Sequence, residues 1–484
     1  MPQTNSNQPL PGAAQPPLCV DLDGTLVKSD TLVDSLLGLL RTRPALLLAL
    51  PGRLLRGKAA LKAFVTESIS LDVAHLPYNR KLLLFLQQQR REGRAIYLAT
   101  GADIALARRI AGHLGIFSDV LGSDGVTNLT SVSKLEGLRK CLGPGEFDYI
   151  GNGVPDLPLL PHANVAMVAN PSLILSIRLR VRGIRPVREF KERSHSAKSV
   201  VRAMRPHQWA KNLLIFVPLL LSHVFAIDRL VTALLAFCCF SLTASATYIV
   251  NDLLDIEADR GHPRKRLRPF ASGDLSAFAG AGLATAFLLL AFCSARFLPV
   301  EFDGWLLLYL GTTVAYSTYL KRIALVDVLI LSGLYTLRLL AGGAATDTPI
   351  SHWLGGFSMF LFFSLAIVKR FAELENLRAS GSPPRNGRGY LVADIDQLRS
   401  FGTSSAFAAV VIFAIYISGS DVVKLYHKPQ LLWLIMPLMI LWLSRVWLLA
   451  SRGKLDEDPV VFALTDRMSL FIGAAVVVVV MLAI

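Results

Sequence analysis

The amino-acid sequence predicts a two-part fold, with an N-terminal α/β domain followed by an all-α domain that crosses a membrane several times. Hydrophobic residues make up 53% of the 484 residues. The mean hydropathy of +0.48 is too high for a soluble enzyme. Nearly all long apolar runs come after about Lys211, whereas the earlier part alternates apolar and polar residues as globular domains do. A domain boundary is therefore expected between residues 170 and 205.

Four segments are expected along the chain. Residues 1–17 are rich in Pro, Gln and Asn and lack the basic start and apolar core of a signal peptide, which predicts a disordered tail. Residues 18–170 are expected to form the α/β domain, 171–205 a basic linker and 206–484 the membrane domain. The five cysteines show no Cys-x-x-Cys pattern, so they indicate neither a disulfide framework nor a zinc site.

Nine apolar runs predict about nine transmembrane helices, although several runs are shorter than the roughly 20 residues that cross a bilayer. The predicted spans are residues 212–225, 230–250, 278–298, 305–320, 325–345, 353–368, 402–418, 431–450 and 468–484.

The charges of the connecting loops predict the orientation. Residues 260–268 and 369–388 are basic, whereas residues 226–229, 299–304 and 346–352 hold few charges. By the positive-inside rule the N-terminus and the α/β domain face the cytoplasm, at the inner membrane of the cell. The same rule accounts for the net charge of +15. A lipid bilayer is thus an expected partner and nucleic acid is not, and the sequence gives no indication of the oligomeric state.

An acidic motif follows the second apolar run. Asn251, Asp255 and Asp259 recur at every fourth position, so they share one face of a helix, with Asp252 beside them. Carboxylates spaced so closely repel each other unless a cation lies among them, and oxygen ligands of this kind suit Mg2+. The motif therefore predicts a magnesium site at the membrane surface.

A cationic loop comes directly after these acids. It includes Arg264, Lys265 and Arg266, which are suited to bind phosphate oxygens. Metal and cations together predict a diphosphate site. The alternative is that the acids only pair with the adjacent arginines at the membrane surface.

The stretch N-D-x-x-D-x-x-x-D at residues 251–259, with several flanking spans, resembles the UbiA superfamily of membrane prenyltransferases. That family ordinarily has a second motif, D-x-x-x-D, in a later loop, and this motif is absent here. The corresponding places hold residues 316–321, with Lys321, and residues 369–374, with Lys369 and Arg370. These segments are similar to the branch of the superfamily that transfers 5-phosphoribose from phosphoribosyl diphosphate (PRPP) to decaprenyl phosphate.

This resemblance implies a Mg2+-dependent transfer of 5-phosphoribose from PRPP to a polyprenyl phosphate. Extra cations suit these substrates, because three anionic groups must lie near one another. The residues that it assigns to magnesium and diphosphate are Asn251, Asp252, Asp255 and Asp259, with Asp252 and Asp255 as catalytic groups. The residues that it assigns to phosphate groups or the ribose phosphate are Lys211, Arg264, Lys265, Arg266, Lys321, Lys369, Arg370 and Glu373.

A different motif opens the N-terminal domain. Residues 18–26 read as an apolar strand that ends in two acids on one side of the strand, Asp21 and Asp23, and then a glycine turn. The first carboxylate can attack phosphorus, and the second can protonate the leaving oxygen. Both also help to hold Mg2+.

Further motifs follow in an order that resembles the haloacid-dehalogenase (HAD) phosphatases. The resemblance implies a Rossmann-like α/β fold with a helical cap at residues 30–79. It assigns phosphate binding to Thr100 and Lys134, and it adds Asn152 and Asp156 to the metal ligands. The family usually has an aspartate where this chain has Asn152. An active phosphatase and a non-catalytic regulatory module therefore both remain open.

Together the two resemblances suggest that the HAD domain removes the 5-phosphate of the transferase product. An alternative is a prenyltransferase that moves an isoprenoid from a prenyl diphosphate to another acceptor, with a non-catalytic HAD module. Transport is a third class. It is disfavoured because the ionisable residues gather at the ends of the spans and no inverted repeat is evident.

Overall fold

The structure is a computed structural model that describes residues 15–143, 145–192, 197–223, 226–380, 388–455 and 459–484. Most of the predicted tail, residues 1–17, lies outside the described residues. The chain forms two compact units. The first comprises Met1–Met204 and Ile249–Leu283, and the second comprises Arg205–Tyr248 and Ala284–Ile484. The acidic motif and the cationic loop therefore belong to the same unit as the N-terminal domain.

A parallel sheet is the framework of the first unit. Its strands are β1 Leu18–Val20, β2 Ile96–Asp103, β3 Asp119–Ser123, β4 Asp148–Gly151, β5 Ala166–Ala169 and β6 Arg188–Phe190. Their order is β3-β2-β1-β4-β5-β6, and all neighbours pair in parallel. The central strand β1 is apolar and buried, as expected for a strand that is covered on both faces. The predicted N-terminal α/β domain is confirmed, and part of the predicted linker, β6, is a strand of its sheet.

Eight α-helices lie among the described residues up to Met204. They are α1 Thr31–Thr42, α2 Leu50–Leu55, α3 Lys58–Ser68, α4 Arg80–Arg91, α5 Ile104–Leu114, α6 Val132–Leu142, α7 Leu173–Val181 and α8 Ala197–Met204. Helices α1 to α3 lie in the segment that was predicted as a cap. Asp30 begins α1, because its side chain accepts hydrogen bonds from Leu32 N–H and Val33 N–H.

Two apolar cores lie on opposite faces of the sheet. Leu18 and Val20 belong to one core, which includes Leu82 and Leu86 of α4. Cys19 points to the other, which includes residues of α6 and α7. Alternate residues of a strand face opposite sides, so β1 serves both cores. This arrangement fixes the position of the residues that directly follow β1.

The remaining part of the chain is helical. Its α-helices are α9 Val217–Ser222, α10 Ile227–Leu254, α11 Ile256–Arg260, α12 Ala277–Ala295, α13 Val300–Thr318, α14 Val326–Ala345, α15 His352–Ser380, α16 Ile395–Ser418, α17 Ser420–Val423, α18 Ile435–Ser451, α19 Pro459–Thr465 and α20 Arg467–Ala483.

Within the described residues, six helical stretches are long and apolar enough to cross a membrane. They are α10, α12, α14, α15, and α16 and α18 with the 3-10 turns that precede them. The predicted count of nine is not confirmed. The predicted span 212–225 begins in a 3-10 helix, Pro206–Phe216, which is followed by the short α9, and its residues 224 and 225 lie outside the described residues. Helix α13 carries Glu301 and Asp303 in its first turn, and α20 has only 17 residues.

The long helices of the second unit pack through small residues as well as large ones. A Cβ atom on Gly342 of α14 would lie 2.2 Å from the carbonyl oxygen of Ile215. Glycine is therefore required where α14 meets the 3-10 helix Pro206–Phe216. The two largest apolar clusters of the unit lie around α15 and α16 and around α10, α13 and α14.

Candidate functional site

The first predicted acidic pair lies directly after the central strand. The Asp21 N–H donates to Ile150 O at 3.0 Å, which extends the ladder between β1 and β4 beyond Val20. Asp23 Oδ1 accepts from the Thr31 N–H at 2.8 Å. Between them and α1 the chain turns at Gly24, whose φ of +73° favours glycine. Both carboxylates thus lie at the carboxyl edge of the parallel sheet, where α/β folds commonly bind ligands.

Lys134 connects Asp21 to the segment that follows β4. Its Nζ atom is buried and donates to Asp21 Oδ1 at 2.8 Å, to Asp156 Oδ1 at 3.1 Å and to Tyr149 Oη at 3.1 Å. Tyr149 Oη donates in turn to Asp156 Oδ1 at 2.6 Å. The structure therefore brings the predicted Asp21, Lys134 and Asp156 into one hydrogen-bonded cluster. Tyr149 was not predicted, since an aromatic residue in a buried strand reads as core.

Both oxygens of Asp156 are engaged inside the protein. Asp156 Oδ2 accepts from the N–H groups of Asn152 and Gly153, each at 3.0 Å. In this arrangement Asp156 orients Lys134 and the turn after β4. A Cβ atom on Gly24 would lie 1.9 Å from Nδ2 of Asn152, so the Asn152 amide packs against the turn that carries Asp23.

The carboxylates of this site have unusual pKa values. Burial raises the pKa of Asp21 to about 6, although the Lys134 ammonium opposes the shift. Burial and the neighbouring Asp30 raise the pKa of Asp23 to about 8. The pKa of Asp156 is lowered, because Lys134 and Tyr149 outweigh the effect of burial. Poorly solvated carboxylates of this kind favour a bound cation.

The donor atoms available here fit a magnesium ion. Asp21, Asp23 and the amide of Asn152 offer oxygen atoms, which are the ligands that Mg2+ prefers. Among the described residues no group of three or more His, Cys, Asp or Glu side chains is arranged to hold a metal. The set at this site is two carboxylates and one amide, so any metal bound here would need water or substrate oxygens as further ligands.

Thr100 and its neighbours form the adjoining edge of the site. Thr100 is buried in β2, and its Oγ1 accepts from the Ala102 N–H at 3.0 Å. The backbone of Gly101 contacts α3, because Lys62 Nζ of that helix donates to Gly101 O at 2.5 Å and to Asn128 Oδ1 at 2.7 Å. Lys62 was not predicted, since no sequence motif includes it.

The acidic motif lies where α10 ends. The Asp255 N–H donates to Asn251 O at 3.0 Å and the Asp259 N–H to Asp255 O at 2.8 Å, so the predicted helical spacing is present. The side chains nevertheless group differently from the prediction. Arg268 Nη1 donates to Asp252 Oδ1 at 3.1 Å and to Asp259 Oδ2 at 2.6 Å. Asp255, at the break between α10 and α11, pairs with Arg41.

Charge compensation at the motif therefore comes from two guanidinium groups. Arg41 Nη1 lies 3.2 Å from Asp255 Oδ1 and belongs to α1 of the N-terminal domain. Since one nitrogen of Arg268 binds both Asp252 and Asp259, these two carboxylates are close enough to share one cation. Burial raises the pKa of Asp259, although Arg268 opposes the shift. Asp252 and Asp259 thus pair with an adjacent arginine, Arg268, which was the alternative to a metal site.

The other predicted residues of this segment are more exposed. Asn251 is half-buried. Arg264, Lys265 and Arg266 are exposed at the 3-10 turn after α11. They are accessible to a phosphate group from solvent.

A separate polar cluster in the second unit centres on Arg370. This buried guanidinium pairs with Asp327 and donates to both carboxylate oxygens of Glu373 at 2.8 Å. Tyr316 Oη donates to Asp327 Oδ1 at 2.7 Å. The structure thus brings the predicted Arg370 and Glu373 together, and the two side chains pair with each other. Lys369, the residue before Arg370, is half-buried, and Asp327 was not predicted because it lies outside the motifs.

A further cluster in the same unit centres on Arg338. Its Nε donates to Asn212 Oδ1 at 2.8 Å, and its Nη2 donates to Tyr309 Oη at 3.2 Å. The residue before Asn212, the predicted Lys211, places its ammonium 5.8 Å from the ring centre of Tyr335. The predicted Lys321 is half-buried in a 3-10 turn after α13.

Six apolar helical stretches in the described part of the chain, and an acidic motif at the end of one of them, define a polytopic membrane protein. The model of the UbiA prenyltransferase family matches residues 213–473, more than half of the chain. The chain belongs to the UbiA prenyltransferase family, which places it among the membrane transferases.

Similar proteins extend this result. The chain is 38% identical to the uncharacterized protein y4nM of Sinorhizobium fredii, over 95% of this chain and 89% of that protein. It is 34% identical to the decaprenyl-phosphate phosphoribosyltransferase of Mycobacterium tuberculosis, over 46% of this chain and 74% of that protein. A solved structure of a UbiA homolog from Archaeoglobus fulgidus, bound to GPP and Mg2+, is similar with a TM-score of 0.45 and 18% identity. It covers 58% of this chain and 99% of that one.

Proposed function

We propose that this chain transfers 5-phosphoribose from PRPP to a polyprenyl phosphate at the cytoplasmic face of the inner membrane, and that its N-terminal domain then removes the 5-phosphate. The observation that carries the proposal is the 34% identity to decaprenyl-phosphate phosphoribosyltransferase over 229 residues. The absence of a second D-x-x-x-D motif supports the same donor, since cationic residues at 321, 369 and 370 suit a donor with an additional phosphate.

The transfer is a substitution at C1 of the ribose. A phosphate oxygen of the lipid forms a bond to C1 while the bond from C1 to the diphosphate breaks, and the diphosphate leaves with the bonding electrons. The lipid phosphate is already ionised near neutral pH, so the step needs no strong general base. Mg2+ held by the acidic motif at residues 251–259 would supply positive charge to the departing diphosphate.

Within the first unit, Asp252 and Asp259 are the proposed metal ligands, because both already bind one cationic atom of Arg268. Asn251 and Asp255 complete this set. Arg264, Lys265 and Arg266 take the outer phosphate charge. Fixed cations that stabilise a leaving anion commonly contribute more to catalysis of this kind than any other effect.

Within the second unit, the proposed phosphate ligands are Lys211, Lys321 and Lys369. Arg370 and Glu373 have a positioning role, since Arg370 directs its donors to Asp327 and Glu373. Holding this part of α15 in one geometry keeps Lys369 in a fixed place.

The phosphatase step is proposed for the cluster around Asp21. Asp21 attacks the phosphorus atom, the bond from phosphorus to the ribose oxygen breaks, and Asp23 donates its proton to that oxygen. Water then releases phosphate from Asp21. Lys134 neutralises the phosphoryl oxygens. The raised pKa of Asp23, about 8, suits a group that must be protonated before it acts as an acid.

Donor choice tests the transferase proposal. Purified protein in Mg2+ with a polyprenyl phosphate is expected to consume radiolabelled PRPP and to leave a prenyl diphosphate unchanged. Asp252→Asn should lower the rate by about a hundredfold or more, because electrostatic catalytic groups typically contribute roughly 10²–10³. Asp396→Asn is the matched control, since its side chain is 90% exposed at the start of α16. Consumption of the prenyl diphosphate in place of PRPP would overturn the proposal.

A further inference from the structure

The cavity in front of Asp21 has walls of two chemical kinds. Its volume is about 420 Å³, which suits a small organic ligand. Charged and polar residues that include Asp21, Asp23 and Lys134 line one part. Large apolar residues line the rest, and most of them come from the acidic motif and the segment that follows it: Ile256, Phe270, Leu275 and Phe278.

This apolar wall is a fixed part of the first unit. Arg260 Nη1 donates to Asp34 Oδ2 at 2.8 Å, and both side chains are almost fully buried. Ser29 Oγ completes the contact, because it donates to Asp34 at 2.6 Å and accepts from Arg260 Nη2 at 3.0 Å. Arg260 Nε also donates to Ala271 O at 3.2 Å. A buried pair with this many hydrogen bonds holds its partners in one geometry.

Two further contacts fix the two ends of the segment. Glu257 Oε1 accepts from the Asp72 N–H at 3.3 Å. At the other end the chain turns at Gly273, with a φ of +73°, and a Cβ atom there would lie 2.7 Å from Cβ of Lys28. The backbone of the segment therefore approaches the N-terminal domain too closely for a side chain.

The exposure of the wall indicates where a ligand can contact it. Phe270 and Leu275 are buried, but Phe278 at the start of α12 is 73% exposed while it lines the cavity. An exposed aromatic ring beside a polar phosphate site offers apolar surface to the part of a substrate that lies beyond the phosphate. A small soluble sugar phosphate has no group that would use this surface.

We propose that Ile256, Phe270, Leu275 and Phe278 form a specificity wall of the phosphatase-like cavity, and that the cavity prefers phosphomonoesters that carry an apolar chain over short, soluble ones. The ester enters with its phosphate at Asp21 and Lys134 and its apolar part against Phe278. Water and the ester yield phosphate and the free alcohol. This inference rests on the phosphatase part of the proposed function and names the substrate class of that site.

The test uses the full chain in detergent with alkyl phosphates from ethyl to octyl, each below its micellar concentration. For the natural protein kcat/KM is expected to rise with chain length, by up to about fourfold for each CH2 group that leaves water. The ratio of the octyl value to the ethyl value should fall at least about tenfold in Phe278→Ser. Leu267→Ser is the matched control, since Leu267 is exposed in the same segment but does not line the cavity; it should keep the ratio.

A flat dependence on chain length in the natural protein would overturn the inference, and so would an equal loss of the ratio in Leu267→Ser. If no alkyl phosphate is hydrolysed, the phosphatase proposal fails. The specificity wall is then tested separately, by the binding of alkyl phosphonates. A 4-fluorophenylalanine at position 278 is expected to show a 19F shift with octyl phosphonate and none with ethyl phosphonate. No shift with octyl phosphonate would contradict the specificity wall.

Discussion

Asp21, Lys134 and Asp156 share one buried site in the first unit, and the charge balance of this site depends on individual side chains. Lys134 donates to both Asp21 and Asp156, while Asn152 packs against the Gly24 turn without a charge. The net charge offered to a cation is therefore lower than a third carboxylate would give. Burial and the neighbouring Asp30 raise the pKa of Asp23 to about 8.

Asn152→Asp tests this balance. A third carboxylate should lower the Mg2+ concentration for half-maximal hydrolysis of an aryl phosphate by roughly fivefold to tenfold, because ligand charge tunes cation affinity. The measurement is hydrolysis rate against Mg2+ concentration. Asn164→Asp is the control, since Asn164 does not line the cavity. An unchanged or higher Mg2+ requirement in Asn152→Asp would show that the amide does not face the metal.

At the residue scale, local motifs could be predicted and long-range partners could not. Asp21 was identified because it follows an apolar strand and precedes a glycine turn, and Lys134 was assigned by the resemblance to the HAD phosphatases. Arg41, which binds Asp255, and Arg260, which binds Asp34, join segments that are far apart in sequence. No pattern in a single sequence predicts such pairs. From sequence alone, an arginine outside a motif is usually expected to be a solvated charge.

Helix α14 shows how the second unit packs at the scale of elements. Gly342 lets the backbone of the 3-10 helix Pro206–Phe216 approach closely, and Arg338 on the same helix binds Asn212 of that 3-10 helix. A steric and a polar contact thus fix the same pair of elements. Asn212 would lose its hydrogen bond to Arg338 if the elements moved apart.

Gly342→Ala should therefore destabilise the protein. The new Cβ atom would lie 2.2 Å from Ile215 O. Overpacking of this kind typically lowers the free energy of unfolding by about 1–3 kcal/mol. Thermal unfolding in detergent measures the effect as a lower midpoint. Gly333→Ala on the same helix is the control, since its Cβ meets nothing within 4 Å, and it should leave the midpoint equal or higher. Equal midpoints for both variants would contradict the close contact.

Hydropathy predicted the positions of the long helices, and six stretches among the described residues are long and apolar enough to span a membrane, so the predicted nine spans are not confirmed. Runs such as 212–225 are apolar, yet Pro206 and Pro218 favour 3-10 and short helical turns there. The short helix α20 shows the same limit, because its 17 residues are fewer than the roughly 20 needed to span a bilayer. Composition alone does not separate a short apolar helix from a full span.

At the scale of the whole molecule, the two units share the chain in an order that sequence did not predict. Residues 249–283 interrupt the second unit and belong to the first. The acidic motif and the phosphatase-like cavity are therefore parts of one compact unit. The sequence placed a boundary near residues 170–205, because composition changes there, whereas the contacts that join the motif to Arg41 and Asp34 depend on the folded chain.

The proposed orientation can be measured with a single cysteine. Cys141 is exposed on α6 of the N-terminal domain, and the other four cysteines can be changed to serine. A membrane-impermeant maleimide should label Cys141 only after the cells are permeabilised, because the positive-inside rule predicts that this domain faces the cytoplasm. His352→Cys in the same background should be labelled in intact cells. Labelling of Cys141 in intact cells would contradict the proposed topology.

The measurement that tests the central claim most directly is the mass of the lipid product. Natural protein with PRPP, Mg2+ and a polyprenyl phosphate should yield a lipid-linked ribose that lacks the 5-phosphate. The variant Asp21→Asn should stop at the lipid-linked 5-phosphoribose, because it lacks the nucleophile but keeps the acidic motif at residues 251–259. The same phosphorylated lipid from both proteins would contradict the sequential action of the two sites, and no ribosylated lipid from either would contradict the transfer itself.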